Sequence, residues 1–293
     1  MTIFWNGVKT ALLMGLLMGL CLAVGQFWGA QGLFIGFLFG SVGVIISYFF
    51  SDKIALMSMD AKPVSRDTAP ELYVIAERLA QRAGVPMPRL YYSPQQAPNA
   101  FATGRNPAHG VICVTEGLMA MLTPQELEGV LAHEMSHIKH RDILISTVAA
   151  VIAGAISQLA WHMMWFGGMG NNRDREGGGN PLLAILVLIL APIAAMLVQM
   201  AISRSREFAA DARGAELAGG PEGLISALQK LEAGNRQIPM QINPSESHMF
   251  IIKPLIPGAS ALSDMFRTHP ATEKRIAKLI EQLGQPNPYA ALA

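Results

Sequence analysis

Residues 133–154 read "HEMSHIKHRDILISTVAAVIAG", and this stretch joins the two signals that decide the fold. Its first five letters follow the H-E-x-x-H pattern, which on a helix puts two imidazoles one turn apart and a carboxylate beside them. An apolar run long enough to cross a bilayer begins six residues after His137. The rest of the sequence therefore has to fit a metal-binding helix that leads directly into a membrane segment.

The composition points to a membrane and away from nucleic acid. The 293 residues are 51% hydrophobic and 15% charged, whereas a soluble domain carries about 25% charged residues. The net charge is +1, so the chain lacks the basic field that would attract nucleic acid, and we expect no such partner. Cys21 and Cys113 have no neighbours that suggest a disulfide framework or a cysteine metal cluster, in keeping with a reducing compartment.

Four apolar runs predict four transmembrane helices. The first two span 11–28 and 33–50 and are separated by "GAQG", and the other two span 143–166 and 181–202. Each has about the length that a helix needs to cross a bilayer. The first run could instead be a signal peptide, but a second run follows at once and no cleavage site is visible. The last two runs could be buried helices of a soluble core, but they contain no charged residue.

The basic residues near the runs predict the orientation. Lys and Arg flank the open sides of both hairpins, which puts these sides in the cytoplasm. We therefore predict an N-terminal transmembrane hairpin at 1–50 and a second hairpin at 143–202. The first part of a cytoplasmic catalytic domain, with the sheet and the H-E-x-x-H helix, occupies 51–142. Its second part, with a third metal ligand and C-terminal helices, occupies 203–293.

The stretch "TPQELEGVLAHEMSHIKH" predicts the metal-binding helix itself. Its first four residues, 123–126, form a capping box with Pro at the first helical position. A helix from this point puts His133 and His137 on one face, where both can bind one Zn²⁺, and Glu134 beside them, where it can accept a proton from the attacking water. The alternative is a helix with two incidental histidines.

A third ligand is predicted after the last apolar run. In "SRSREFAADARGAEL" at 203–217, Glu207 could bind the metal, while Asp211, one turn later, accepts a hydrogen bond from a ligating histidine. Taken alone, this spacing is a weak signal and is more typical of an amphipathic surface helix. A membrane hairpin at 143–202 brings its two ends together, however, and this favours the metal site.

The stretch 88–119 predicts a small antiparallel sheet. Its strand candidates are "RLYYS", "AFATG" and "GVICVTEG", with "RNPAHG" as the turn between the last two. A sheet edge beside the metal helix could bind an extended peptide as an added strand, and Asn99, Ala100 and Phe101 are the candidates for that edge. The alternative is an ordinary sheet that binds no ligand.

His269 is a candidate for the catalytic machinery. The stretch "FRTHPATEKRIAKLI" at 266–280 begins a helix with Pro270 near its first turn. A histidine at this helix start could donate a hydrogen bond to the oxyanion of a tetrahedral intermediate. It could also be a plain cap or surface residue.

Taken together, these pieces resemble the HtpX family of membrane-bound zinc metalloproteases, within the M48 peptidases that include the CAAX prenyl proteases. Two N-terminal spans, "NAFATG", "HEMSH", a second pair of spans, "SRSREFAAD" and "RTHP" occur in the family's order and cover nearly the whole chain. The resemblance implies one Zn²⁺ per chain, held by His133, His137 and Glu207, with Glu134 as the catalytic acid and base. It also implies a cytoplasmic active site on the bacterial inner membrane and the removal of misfolded membrane proteins under stress.

The expected fold is therefore mainly α with a small antiparallel β-sheet. It is that of an integral membrane protein with four transmembrane helices and a cytoplasmic zincin-like (gluzincin) catalytic domain. The expected function is that of a zinc endopeptidase whose partners are the lipid bilayer and unfolded or damaged membrane proteins. A CAAX-type protease that processes lipidated C-termini would share the metal centre. A non-catalytic zinc-binding scaffold would not need Glu134, and a metal transporter would need ionisable residues inside the spans.

Overall fold

The structure is a computed structural model that describes residues 2–26, 29–145, 148, 204–237 and 270–283. Its helices are α1 (Thr2–Gln26), α2 (Gly29–Phe49), α3 (Ser51–Ser58), α4 (Pro70–Ala83), α5 (Glu116–Met121), α6 (Pro124–Lys139), α7 (Arg204–Ala218), α8 (Glu222–Gln237) and α9 (Thr272–Gln282). Its strands are β1 (Lys62–Pro63), β2 (Arg89–Ser93), β3 (Ala100–Thr103) and β4 (Val111–Thr115). The described chain is thus mostly helical with one small sheet.

Helices α1 and α2 pack against each other as a hairpin. Among the described residues, α2 is long and apolar enough to cross a membrane, with 21 residues. Several large apolar side chains of α2 lie on its outer surface, among them Phe34 and Phe39, which are 64% and 71% exposed. The "GAQG" that we predicted as the turn of this hairpin is instead the first turn of α2. The runs predicted to span 143–166 and 181–202 lie outside the described residues, except for 143–145 and 148.

The sheet is mixed, so the prediction of an antiparallel sheet was wrong. Its strand order is β1-β2-β4-β3, with β2 and β4 parallel and β3 antiparallel to β4. The segment after β2 carries the chain past the position of β4, and the turn at 104–110 brings it back between β2 and β3. This path makes β4 the central strand, in which all five residues are buried, and leaves β3 at an edge.

Helix α6 begins where the capping pattern predicts. The Thr123 side chain accepts a hydrogen bond from the Glu126 N–H, and the Glu126 carboxylate accepts one from the Thr123 N–H. Lys230 on α8 donates to the same carboxylate over 2.7 Å. This cap therefore fixes the start of α6 and also ties α6 to α8.

One hydrophobic core holds the two predicted parts of the catalytic domain together. It includes Leu131 and Met135 of α6, Leu228 of α8 and Ile276 of α9. Burial of this kind stabilises the fold by roughly 25 cal/mol per Å² of apolar surface. The helices after residue 203 therefore pack on the same core as those before residue 142.

Helix α7 approaches α6 closely beside the first histidine. A Cβ atom added to Gly214 would lie 2.9 Å from the His133 backbone nitrogen, closer than real Cβ atoms come. The two backbones can therefore touch here only because residue 214 has no side chain. Since Glu207 lies two turns before Gly214 on the same helix, this contact sets its position against α6.

Candidate metal centre

Two helices bring the three predicted metal ligands together. The Nε2 atoms of His133 and His137 are 3.2 Å apart, and they lie 3.7 and 3.6 Å from the two carboxylate oxygens of Glu207. Two ligand atoms that each lie about 2.0–2.1 Å from a tetrahedral Zn²⁺ are roughly 3.3 Å apart. The three side chains therefore have the spacing and the chemistry to hold one such ion, with a fourth position left for another group.

The electrostatics of this cluster favour a cation. Burial lowers the pKa of the His137 imidazole, but the hydrogen bond to Asp142 and the charges of Glu207 and Glu134 outweigh it and raise the pKa to about 9. Two imidazoles thus lie among several carboxylates in a buried site. Such a site attracts positive charge, which a divalent ion supplies.

Glu134 lies close to the two histidines and to the sheet. Its side chain is buried, which raises the pKa of its carboxyl above the usual range. The backbone N–H of Ala102, in the edge strand β3, donates a hydrogen bond to it. A carboxyl with a raised pKa accepts a proton more readily than an ordinary glutamate does.

The structure places the predicted substrate residues 99–101 in and beside β3. The Thr115 N–H donates to the Asn99 carbonyl, and the Asn99 N–H donates to the Thr115 hydroxyl, so the backbone of Asn99 faces β4. The Phe101 side chain is buried in a small apolar cluster with Cys113 and others. Because alternate residues of a strand direct their backbone groups to opposite edges, Ala100 and Ala102 face outward. Our sequence reasoning missed Ala102, although this alternation could have revealed it.

A buried ion pair contacts His133 at Nδ1, the ring nitrogen that faces away from Glu207. Asp211 Oδ1 lies 2.9 Å from His133 Nδ1, and Arg275 donates to both carboxylate oxygens of Asp211, over 2.8 Å from Nε and 2.6 Å from Nη2. Burial opposes the ionisation of Asp211, but Arg275 and His133 outweigh it and lower its pKa to about 2. Asp211 is therefore a charged carboxylate beside His133 Nδ1, and its role in orienting a metal-ligating imidazole stays a prediction. Arg275 was missed, because nothing in its local sequence distinguishes it from the exposed charges of α9.

A second carboxylate supports His137. Asp142 Oδ2 lies 3.3 Å from His137 Nδ1, in the short segment after α6. Burial opposes its ionisation too, but His137, Arg206 and Asn6 lower its pKa below the usual range. Sequence reasoning assigned no role to Asp142. Each histidine of the pair is thus held by its own carboxylate, an arrangement that fixes the tautomer of a metal-ligating imidazole.

His269 lies outside the described residues, so its role at the oxyanion stays a prediction. The described residues continue from Pro270, and α9 begins at Thr272 with Ala271 as its cap. The helix start thus comes within a few residues of the position that the sequence predicts.

The ion pair behind His133 leads to a stability prediction. Changing Arg275 to Leu leaves the Asp211 carboxylate buried without its guanidinium, and such a loss costs about 3–5 kcal/mol. We expect a large drop in the melting temperature of the purified full-length chain. Arg78→Leu is the control, because Arg78 is 44% exposed and its 3.3 Å contact with Glu128 is a surface pair, worth about 0–1 kcal/mol. Equal melting temperatures for the two variants would contradict the assignment.

The comparisons with known proteins agree with this geometry. The model of peptidase family M48 matches residues 66–283. A protease HtpX homolog of Desulforapulum autotrophicum is 49% identical over 278 residues, covering 94% of this chain and 89% of its own length. One of Thermococcus kodakarensis is 50% identical over 285 residues, covering 94% of this chain and 97% of its own length.

A solved structure shares the fold. The crystal structure of S. mikatae Ste24p matches with a TM-score of 0.51 and 19% identity, over 95% of this chain and 66% of that one. With these relatives and a His-His-Glu cluster beside a buried glutamate, the chain belongs to peptidase family M48, in its HtpX group, and is a metalloprotease.

Proposed function

We propose that the protein is a zinc-dependent endopeptidase of the bacterial inner membrane, with its active site on the cytoplasmic side, that cleaves unfolded or damaged membrane proteins during stress. One observation carries this proposal, namely the tetrahedral spacing of His133, His137 and Glu207 beside the buried Glu134. The exposed aromatic surface of α2 supports the membrane location.

The residues of the site divide the chemistry among them. Zinc held by the three ligands would lower the pKa of a water molecule and polarise the scissile carbonyl. Glu134 takes the proton from the attacking water and passes it to the leaving amine, a transfer that its raised pKa favours. Asp211 and Asp142 keep the two imidazoles in the orientation that binding requires. His269 is the proposed donor to the oxyanion.

The edge strand β3 supports a preference for unfolded substrates. An extended segment can bind to such an edge through backbone hydrogen bonds, so its affinity depends only weakly on its side chains. The N–H of Ala102, on the outward edge of β3, donates to Glu134, so a segment added along this edge would pass the metal site. Folded proteins keep their backbone groups paired, whereas damaged proteins expose extended loops.

The test compares three substrates with the full-length protein in liposomes. They are a destabilised membrane protein, the same protein in its folded form and a prenylated peptide. We expect cleavage of the destabilised protein only, its loss after treatment with a zinc chelator and its return after zinc is added back. Faster cleavage of the prenylated peptide would show the CAAX-type activity instead. Metal binding without cleavage of any substrate would show a zinc-binding scaffold.

A further inference from the structure

An asparagine on the membrane hairpin reaches the metal centre. Asn6 lies near the start of α1, in the otherwise mostly apolar stretch "TIFWNGVKTALLMGLL", and is 5% exposed. Its side-chain amide donates to Asp142 Oδ1 over 2.6 Å and to the His140 carbonyl over 3.2 Å. Burying an amide costs free energy unless it is hydrogen-bonded, and these two bonds satisfy that requirement.

The contact continues to a metal ligand. The other oxygen of the same carboxylate, Asp142 Oδ2, lies 3.3 Å from His137 Nδ1. Asn6, Asp142 and His137 therefore form one connected chain of polar groups from α1 to the end of α6. Asp142 follows the last turn of α6 and is not part of a helix, so its orientation depends on such contacts.

We infer that Asn6 is a positioning residue of the metal centre, which holds Asp142 so that Asp142 orients the His137 imidazole. The contact couples the N-terminal hairpin to the peptidase site, so that the hairpin contributes to metal binding as well as to anchoring. The inference rests on the proposed metal-binding role of His137.

The chemistry of Asn6, Asp142 and His137 supports the inference that Asn6 orients Asp142 and that Asp142 in turn orients His137. A carboxylate can rotate about its Cβ–Cγ bond, and only when its plane is suitably aligned does one of its two equivalent oxygens point at His137 Nδ1. A hydrogen bond from Asn6 to the opposite oxygen selects that orientation. Mutating a residue that hydrogen-bonds the non-ligating nitrogen of a metal-binding histidine typically lowers metal affinity or activity by about 10–100-fold. Asn6 acts one step further away, and we expect about tenfold.

The first experiment uses Asn6→Leu in the full-length protein, which keeps the size and the apolar environment of the side chain. We expect about tenfold weaker Zn²⁺ affinity in competition with a chelator, a changed visible absorption spectrum of the Co²⁺-loaded protein, and a lower kcat with KM unchanged. The control is Thr10→Val, one turn later on α1, since Thr10 is buried and bonds the Asn6 carbonyl. It should leave the affinity, the spectrum and kcat as in the wild type.

A double-mutant cycle separates positioning from a general role in packing. If Asn6 acts through Asp142, adding Asn6→Leu to Asp142→Ala changes neither the Zn²⁺ affinity nor the Co²⁺ spectrum any further. Additive effects would overturn the inference, and so would an Asn6→Leu variant that behaves like the wild type. A different result would contradict the proposed metal centre itself. If the His133→Ala variant binds Co²⁺ as tightly as the wild type does, the metal is not held at this site, and the inference about Asn6 fails as well.

Discussion

Replacing Glu134 with Gln is expected to reduce peptide hydrolysis by about 10²–10⁴-fold, with zinc still bound. The amide keeps the size and hydrogen-bonding shape of the carboxyl, but it cannot take a proton from the attacking water. Because Glu134 is not among the clustered metal ligands, the spacing of His133, His137 and Glu207 should persist. The measurement is the initial rate of cleavage of an unfolded protein, together with the zinc content per chain.

The matched control is Glu128→Gln on the same helix. Glu128 lies more than one turn before His133 and contacts Arg78 and Arg82 at the surface. We expect this variant to cleave at the wild-type rate. If Glu134→Gln were as active as Glu128→Gln, Glu134 could not be the group that moves the proton.

Replacing Glu207 with Ala is expected to weaken zinc binding by more than about 100-fold and to abolish hydrolysis. Partners that only orient a metal ligand already account for about 10–100-fold in metal affinity. Glu207 is itself a proposed ligand, with Oε2 3.7 Å from His133 Nε2 and Oε1 3.6 Å from His137 Nε2. The checks are the zinc content of the purified protein and its competition with a chelator. Glu216→Ala on the same helix is the control, because Glu216 is exposed. Equal zinc content in both variants would rule out Glu207 as a ligand.

The parts of the site that local sequence patterns determine could be predicted. The capping box at 123–126 sets the start of α6, and the spacing of His133 and His137 then sets their common face whatever the rest of the chain does. The four-residue spacing of Glu207 and Asp211 likewise puts these two side chains on one face of α7. In each case the geometry is a property of one helix.

The parts that depend on long-range packing could not be predicted. Arg275 has the sequence environment of an exposed residue, and charged residues are almost never fully buried unless they are paired. It becomes buried only because α9 packs against α7, which brings it to Asp211. The hydrogen bond from Asn6 to Asp142 is likewise a contact between residues that are distant in the sequence.

The pairing of the strands in the sheet also depends on long-range packing and could not be predicted. The positions of β2, β3 and β4 follow from their composition and agree with the prediction. Their pairing does not follow from it, because whether β2 lies beside β3 or beside β4 depends on the path of the segment between them. The parallel contact of β2 and β4 therefore had to come from the structure.

The separation of the site residues along the chain also bears on how the protein is made. The ribosome completes His133 and His137 well before Glu207, and Arg275 follows later still. Until α7 and α9 dock on α6, the growing chain lacks its third metal ligand and the guanidinium that fixes Asp211. At that stage of synthesis the His-His-Glu cluster is therefore incomplete. The order of synthesis thus delays the assembly of the cluster until the second half of the chain has folded.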